Sequence, residues 1–263
     1  MNSKKQKLDA FERLLDIMDE LREKCPWDKK QTFDSLRHLT IEETYELGNA
    51  IISGNLLEVK KELGDLLLHI VFYSKLGSEA GVFDIADVSN YISKKLIFRH
   101  PHIYGDLKVK DDAEVKKNWE ALKLKEGKNT VLGGVPNELP ALVKAQRIQE
   151  KVSAVGFDWE NSKQVWSKVK EEIIELQKEV SAGNIKKSEE EFGDVLFSLI
   201  NYARFLGINP DTALERTNQK FIRRFNFLEA SAKKNGITLD KMSIKEMEII
   251  WKRAKNQIPK SED

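Results

Sequence analysis

Residues 171–194 open with Glu171-Glu172-Ile173-Ile174-Glu175 and close with Glu191-Phe192-Gly193-Asp194. Glu172/Glu175 and Glu191/Asp194 each have i, i+3 spacing, which puts both carboxylates of a pair on one face of a helix. Between them, Ser181-Ala182-Gly183-Asn184 is a helix stop followed by a turn. The spacing predicts two antiparallel helices, each turning two carboxylates toward the other. Four converging carboxylates repel one another and call for cations, and hard oxygen ligands favour Mg²⁺ or Mn²⁺. A single E-x-x-E carries little weight, because charge-rich helices place such pairs on solvated faces freely.

The chain contains the stretch twice. Residues 42–65 open with Glu42-Glu43-Thr44-Tyr45-Glu46 and close with Glu62-Leu63-Gly64-Asp65. A constant offset of 129 residues relates Glu43 to Glu172, Glu46 to Glu175, Glu62 to Glu191 and Asp65 to Asp194, with no gap between. The turn residues Gly54-Asn55 and Gly183-Asn184 keep the same register. The identities are mostly acids and turn residues, whereas a merely solvated face has no reason to hold its acids in register. The period is far longer than that of a solenoid, so the pattern indicates a duplicated domain.

The rest of the composition narrows the class. The chain has 263 residues and a formal net charge of +1, from 44 basic and 43 acidic residues. Such a balance speaks against a general nucleic-acid binder, so no stable nucleic-acid complex is expected. One cysteine, Cys25, allows no intrachain disulfide and suits a reducing cytoplasm. The polar start Met1–Lys7 is not followed by an apolar run, so no signal peptide is expected. The longest apolar run, Leu66–Tyr73, is interrupted by His69 and is too short to span a bilayer.

Read in order, the chain predicts helices over Leu8–Lys24, Thr32–Ile52, Leu56–Leu76, Ile85–Phe98, Glu114–Leu124, Ala141–Val152, Ser162–Ser181, Ile185–Leu206 and Pro210–Asn235. A last helix is expected to begin at Leu239-Asp240-Lys241 and to run through Trp251. Cys25-Pro26-Trp27-Asp28 breaks the first helix, because Pro26 disfavours helix at Cys25. Gly77–Asp84 and Arg99–Gly105 read as loops, the latter carrying His100 and His102. The helix over Leu56–Leu76 is expected to bury Leu66, Leu67, Ile70 and Tyr73, with His69 a satisfied core residue. Gly127–Pro140, with three glycines and two prolines, reads as a linker. No convincing strand pattern occurs. The fold expected is all-α, with two homologous helical-bundle domains: residues 1–126, a linker over 127–140, and 141–263.

Each acid motif is followed by basic and aromatic residues in the same order. Lys220 and Arg224 are i, i+4, as are Lys95 and Arg99. Trp251/Lys255 and Trp119/Lys123 repeat that spacing. For one such pair, surface charge and core tryptophan explain the residues well enough. Recurrence in both halves fits a nucleotide instead: metal-held phosphates, clamped oxygens and a stacked base.

The E-E-x-x-E and E-x-x-D motifs resemble those of the all-α nucleoside triphosphate pyrophosphohydrolases, and the duplicated layout resembles the MazG family in particular. Cys25-Pro26-Trp27-Asp28, Thr40-Ile41-Glu42-Glu43-Thr44-Tyr45-Glu46, Arg99-His100-Pro101-His102, Leu132-Gly133-Gly134-Val135-Pro136 and Gly156-Phe157-Asp158-Trp159 carry the resemblance over nearly the whole chain. It implies Mg²⁺-dependent cleavage of nucleoside triphosphates to monophosphate and pyrophosphate, in helical dimers. Carried over by motif, Glu172, Glu175, Glu191 and Asp194 are metal ligands, matched in the first copy by Glu43, Glu46, Glu62 and Asp65. Lys168, Lys187, Ser188, Glu189, Glu190, Lys220, Phe221, Ile222, Arg223, Arg224, Trp251 and Lys255 line the nucleotide site together with Asp194. Glu171, beside Glu172, is a candidate outer-shell base. The alternatives are a non-catalytic nucleotide or alarmone sensor on the same scaffold, and a helical interaction protein with purely solvated acids.

The two halves differ in cations. With the offset of 129, Lys187 aligns with Glu58 and Lys168 with Leu39. Past the following loop, where Lys95 aligns with Lys220, Arg223 aligns with Phe98. The second copy is therefore expected to be the main catalytic one.

Overall fold

The structure is a computed structural model, and it describes residues 1–111, 114, 115, 118, 119, 122 and 130–257. The helix expected over Glu114–Leu124, the Trp119/Lys123 pair within it and the start of the Gly127–Pro140 linker fall largely outside the described residues. Among the described residues every regular element is helical. The chain divides into two compact units, Met1–Val115 and Lys116–Asp263.

In the first unit, α1 (Lys4–Lys24) starts four residues earlier than its apolar stripe, because Ser3 and Gln6 form a capping box. It ends where Cys25, ahead of Pro26, turns extended. A 3₁₀ turn at Asp28–Lys30 leads to α2 (Phe33–Ile52), capped by Thr32 and Ser35. Gly54 at φ +70° stops α2 in the left-handed region that glycine enters without strain. Asn55 then caps α3 (Leu56–Glu79), accepting from the amides of Leu57 at 3.1 Å and Glu58 at 3.3 Å. The result is an antiparallel hairpin.

Met18, Leu36, Val71, Phe72 and Leu76 form the core of this unit, with Leu14, Leu15, Leu39 and Leu68 packed against it. Burying each such large side chain contributes roughly 1.5–3 kcal/mol. The face of α3 that meets α1 is therefore the one carrying Leu68, Val71, Phe72 and Leu76. This corrects the expected face in part: Leu66 and Tyr73 are half-buried, Tyr73 against the core, but Leu67 and Ile70 remain 37% and 48% exposed, covered by none of the described residues. His69 is buried as expected, with Nδ1 2.6 Å from the Thr40 hydroxyl, which also lies 2.7 Å from the Tyr73 hydroxyl. Burial lowers the His69 pKa, and the Asp65 charge opposes that in part.

α3 runs on to Glu79, past the loop start expected at Gly77, because the Arg22 guanidinium grips the Glu79 carboxylate (3.0 and 2.5 Å) and lies over the Phe72 ring. Gly77 itself packs under the Phe83 ring. α4 (Ile85–Arg99) is capped by Asp84. The segment expected as a loop at Arg99–Gly105 instead contains one helical turn, α5 (Pro101–Tyr104), since Pro101 suits the first helical position.

Past the linker, the second unit has α6 (Ala141–Ala154) and repeats the hairpin as α7 (Ser162–Ser181) and α8 (Ile185–Phe205). Its turn has Gly183 at φ +71°, and Asn184 accepts from the Lys187 amide at 3.3 Å. α9 (Pro210–Lys234), opened by an Asn209 cap and Pro210, packs mainly on α10 (Ile244–Gln257) and more lightly on α6 and α8. The last helix does not run continuously from Leu239. A 3₁₀ turn at Leu239–Lys241 breaks at the extended Met242, and Ser243 with Glu246 recaps the chain. Among the described residues of this unit, Val165, Val169, Val195, Ile200, Leu228, Ala232, Ile250 and Ala254 are the buried apolar ones.

Candidate active site

The two hairpins deliver their acids as the i, i+3 spacing requires. Carboxylate oxygens of Glu172, Glu175 and Glu191 all lie within 4.8 Å of one another, and so do those of Glu43, Glu46 and Glu62. Asp194 and Asp65 are exposed, one helical turn beyond Glu191 and Glu62, and fall outside these mutual groups. Only oxygen donors converge in each cluster. Such a donor set fits a hard divalent cation and does not fit soft, thiolate-seeking metals.

The electrostatics register the crowding. Burial pushes the Glu43 carboxyl above its usual range, and the charges of Asp65, Glu46 and Glu62 push the same way. Glu62 is raised by burial and then by Glu46 and Asp65. In the second cluster Glu175 is raised by burial, by the charge of Glu172, by a hydrogen bond with it and by Glu191, against the opposing pull of Lys168. Acids this close to one another could share a divalent cation.

Lys168 separates the two clusters. Its ammonium donates to Glu171 Oε1 and lies against Glu172 Oε1, both at 2.7 Å, and Glu172 is 6% exposed. These bonds, to Glu171 first and Glu172 second, raise the Lys168 pKa. The first copy has Leu39 at the matching position, half-buried against the core. Glu171 is thus tied to Lys168, on the helix turn that also carries Glu172.

The other nucleotide-site candidates fall into two groups. Lys187, Ser188, Glu189 and Glu190 occupy the first turns of α8, with Lys187, Glu189 and Glu190 exposed. Lys220, Phe221, Ile222, Arg223 and Arg224 lie on α9 beside Trp251 and Lys255 of α10. There the Phe221 ring centre is 5.0 Å from that of Trp251 and 6.3 Å from that of Phe225, and the Arg224 guanidinium lies 6.0 Å from the Trp251 ring. Phe225 joins this aromatic group although its position in the sequence singled out no role for it; i, i+4 spacing from Phe221 was the available signal.

Sequence reasoning also missed a clamp. Asp158 accepts from Arg204 at 2.9 and 2.5 Å and from the Ser153 hydroxyl at 2.6 Å. Burial works against its ionisation, but the bonds from Arg204, Ser153 and the Trp159 amide win and hold its pKa low. Forty-six positions separate the partners, so no local pattern announces the pair. The clamp fixes the Gly156–Trp159 loop immediately before α7, while Phe157 projects into solvent.

Among the described residues no helix is long and apolar enough to cross a membrane. Comparison with known proteins gives a consistent picture. The profile of the MazG nucleotide pyrophosphohydrolase domain matches residues 31–104 and again 160–227. The chain is 42% identical over 250 residues to a nucleoside triphosphate pyrophosphohydrolase/pyrophosphatase MazG of Thermotoga maritima, covering 93% of this chain and 95% of that protein. It is 40% identical over 259 residues to a nucleoside triphosphate pyrophosphohydrolase of Escherichia coli, covering 95% and 98%. It is also 45% identical over 252 residues to the uncharacterized protein YabN of Bacillus subtilis, of which it covers 51%.

Proposed function

The chain belongs to the MazG nucleotide pyrophosphohydrolase family, and on that footing we propose that it hydrolyses nucleoside triphosphates, ribose and deoxyribose forms alike, at the α-phosphorus to monophosphate and pyrophosphate. The observation that carries the reading is the convergence of Glu172, Glu175 and Glu191, with Lys168 beside them, inside a segment that matches the family profile. Glu172, Glu175, Glu191 and Asp194 are the ligands for Mg²⁺, or Mn²⁺ in its place. The metal, when bound, screens the triphosphate charge and lowers the pKa of the attacking water. Glu171 accepts the proton of that water as the new oxygen–phosphorus bond forms and the bond to the β-phosphate oxygen breaks. Lys168, Lys187, Lys220, Arg223, Arg224 and Lys255 neutralise the phosphates and the departing pyrophosphate. Trp251 and Phe221 offer aromatic faces for the base.

The division of labour proposed is an N-terminal domain over 1–126, a linker over 127–140 and a main catalytic domain over 141–263, working in the cytoplasm as a homodimer. Apolar residues related by the offset of 129 support the dimer: Tyr45 and Ile174, Leu63 and Phe192, Leu67 and Leu196, and Ile70 and Leu199 are all exposed. Both hairpins therefore present the same uncovered face. Chromatography of nucleoside triphosphates digested with the chain and Mg²⁺ tests the reaction. Monophosphate and pyrophosphate are the expected products; diphosphate and orthophosphate overturn attack at the α-phosphorus. Binding without turnover would make the protein a nucleotide sensor instead.

A further inference from the structure

Lys168 touches a carboxylate that the proposed function gives to the metal. Its ammonium is 2.7 Å from Glu172 Oε1 and 2.7 Å from Glu171 Oε1, so one cation spans a metal ligand and its neighbour. Glu172 is the only ligand candidate of the second cluster that is nearly sealed from solvent among the described residues, at 6% exposure. A buried carboxylate needs a positive partner, and without a metal this lysine is that partner. In the first cluster the same helix position is the uncharged Leu39, half-buried against the core.

We infer that Lys168 is a resident counter-ion that competes with the divalent cation for Glu172 and is handed over to the triphosphate when both bind. Two positive charges sharing one carboxylate repel each other across about 4–5 Å, so each weakens the hold of the other. A triphosphate supplies the charge that draws the lysine off. An ammonium has three donors, and moving one from a carboxylate to a phosphate oxygen keeps it satisfied while freeing Glu172 for the metal. Metal and nucleotide then bind the second copy cooperatively, by reciprocal linkage. The first copy, with Leu39, takes a divalent cation with no such dependence on nucleotide.

The inference rests on the proposed metal site, and the experiment separates the two. Mn²⁺ binding is followed by electron paramagnetic resonance on the full chain carrying Glu46→Gln and Glu62→Gln, so that the second copy is read alone. Without nucleotide, Lys168→Met is expected to tighten Mn²⁺ by about tenfold or more, from removal of a like charge next to a divalent ion. The same variant is expected to melt earlier without metal. Lys168→Arg, which keeps the charge, is expected to bind Mn²⁺ as the parent does. A lysine that only props up the helix would lower both stability and Mn²⁺ affinity, so unchanged or weaker binding in Lys168→Met overturns the competition. If the parent chain binds no Mn²⁺ even with a non-hydrolysable triphosphate present, the metal site itself is wrong. In the parent, that triphosphate should tighten Mn²⁺, and Lys168→Met should lose most of the gain.

Discussion

At the scale of single residues, the two copies test each other. Glu46 and Glu175 occupy matching positions in clusters whose carboxylate oxygens all lie within 4.8 Å of one another. Lys168, Lys187 and Arg223 have as counterparts Leu39, Glu58 and Phe98. Each charge-assisted contact to a phosphate is worth roughly 1.5–3 kcal/mol, so losing two or three weakens triphosphate binding by orders of magnitude. Glu175→Ala is therefore expected to nearly abolish pyrophosphate release and Glu46→Ala to leave most of it; the reverse pattern would make the first copy the enzyme. Asp158 gives a pH prediction. Its pKa is lower in the folded chain than in the unfolded one, so its contribution to stability is present above the unfolded value and lost as pH falls through the folded one. Asp158→Asn should cost about 1.5–3 kcal/mol at neutral pH. That difference should shrink once urea melts are run below about pH 4, the unperturbed aspartate value. A constant difference down to pH 2 would mean the carboxylate charge is not what holds the loop.

At the scale of elements, caps and turns decide where helices begin and end, and they explain what was legible. The α2–α3 and α7–α8 hairpins could be read directly, because i, i+3 acids, glycine and asparagine are local signals. The same spacing announced three converging acids of each hairpin, while the fourth expected one, Asp65 or Asp194, lies outside the mutual group. The buried face of α3 was legible only in part: Tyr73 does pack on the core, but Leu67 and Ile70 are as apolar as Leu68, Val71, Phe72 and Leu76, and only the packing of the neighbouring helices chooses between them. The Asp158–Arg204 clamp was hidden for a similar reason, since its partners come from a loop and a separate helix, whereas of the aromatic group Phe221 and Trp251 were singled out and only Phe225 was not. The turn after α3 offers its own test. A Cβ on Gly77 would lie 2.6 Å from the Phe83 ring and 2.8 Å from the Phe83 carbonyl oxygen, and the backbone atom cannot swing away. Gly77→Ala should destabilise the first unit by about 1–3 kcal/mol, the usual range for overpacking. An unshifted calorimetric transition would show that α4 yields instead.

At the scale of the molecule, both hairpins leave an apolar strip uncovered, and the proposed homodimer would cover it. Light scattering is expected to give the mass of two chains of 30.3 kDa each at micromolar concentration. Leu196→Glu and Leu67→Glu identify which hairpin holds the pair together. If only Leu196→Glu yields monomers, the second hairpins meet each other, and if neither does, these strips are not the contact. A clean monomer for the unmodified chain would remove the dimer altogether.

The Gly54-Asn55 and Gly183-Asn184 turns give the two hairpins one frame. Because 42–65 and 171–194 have the same length, stop and cap, either can be grafted into the other's place without altering an arm. A graft of the second into the first would import Lys187 but not Lys168, which lies upstream of the transplanted piece. If the second copy carries the chemistry, as proposed, its twin is a spare, and substitutions there would be free to drift toward another use.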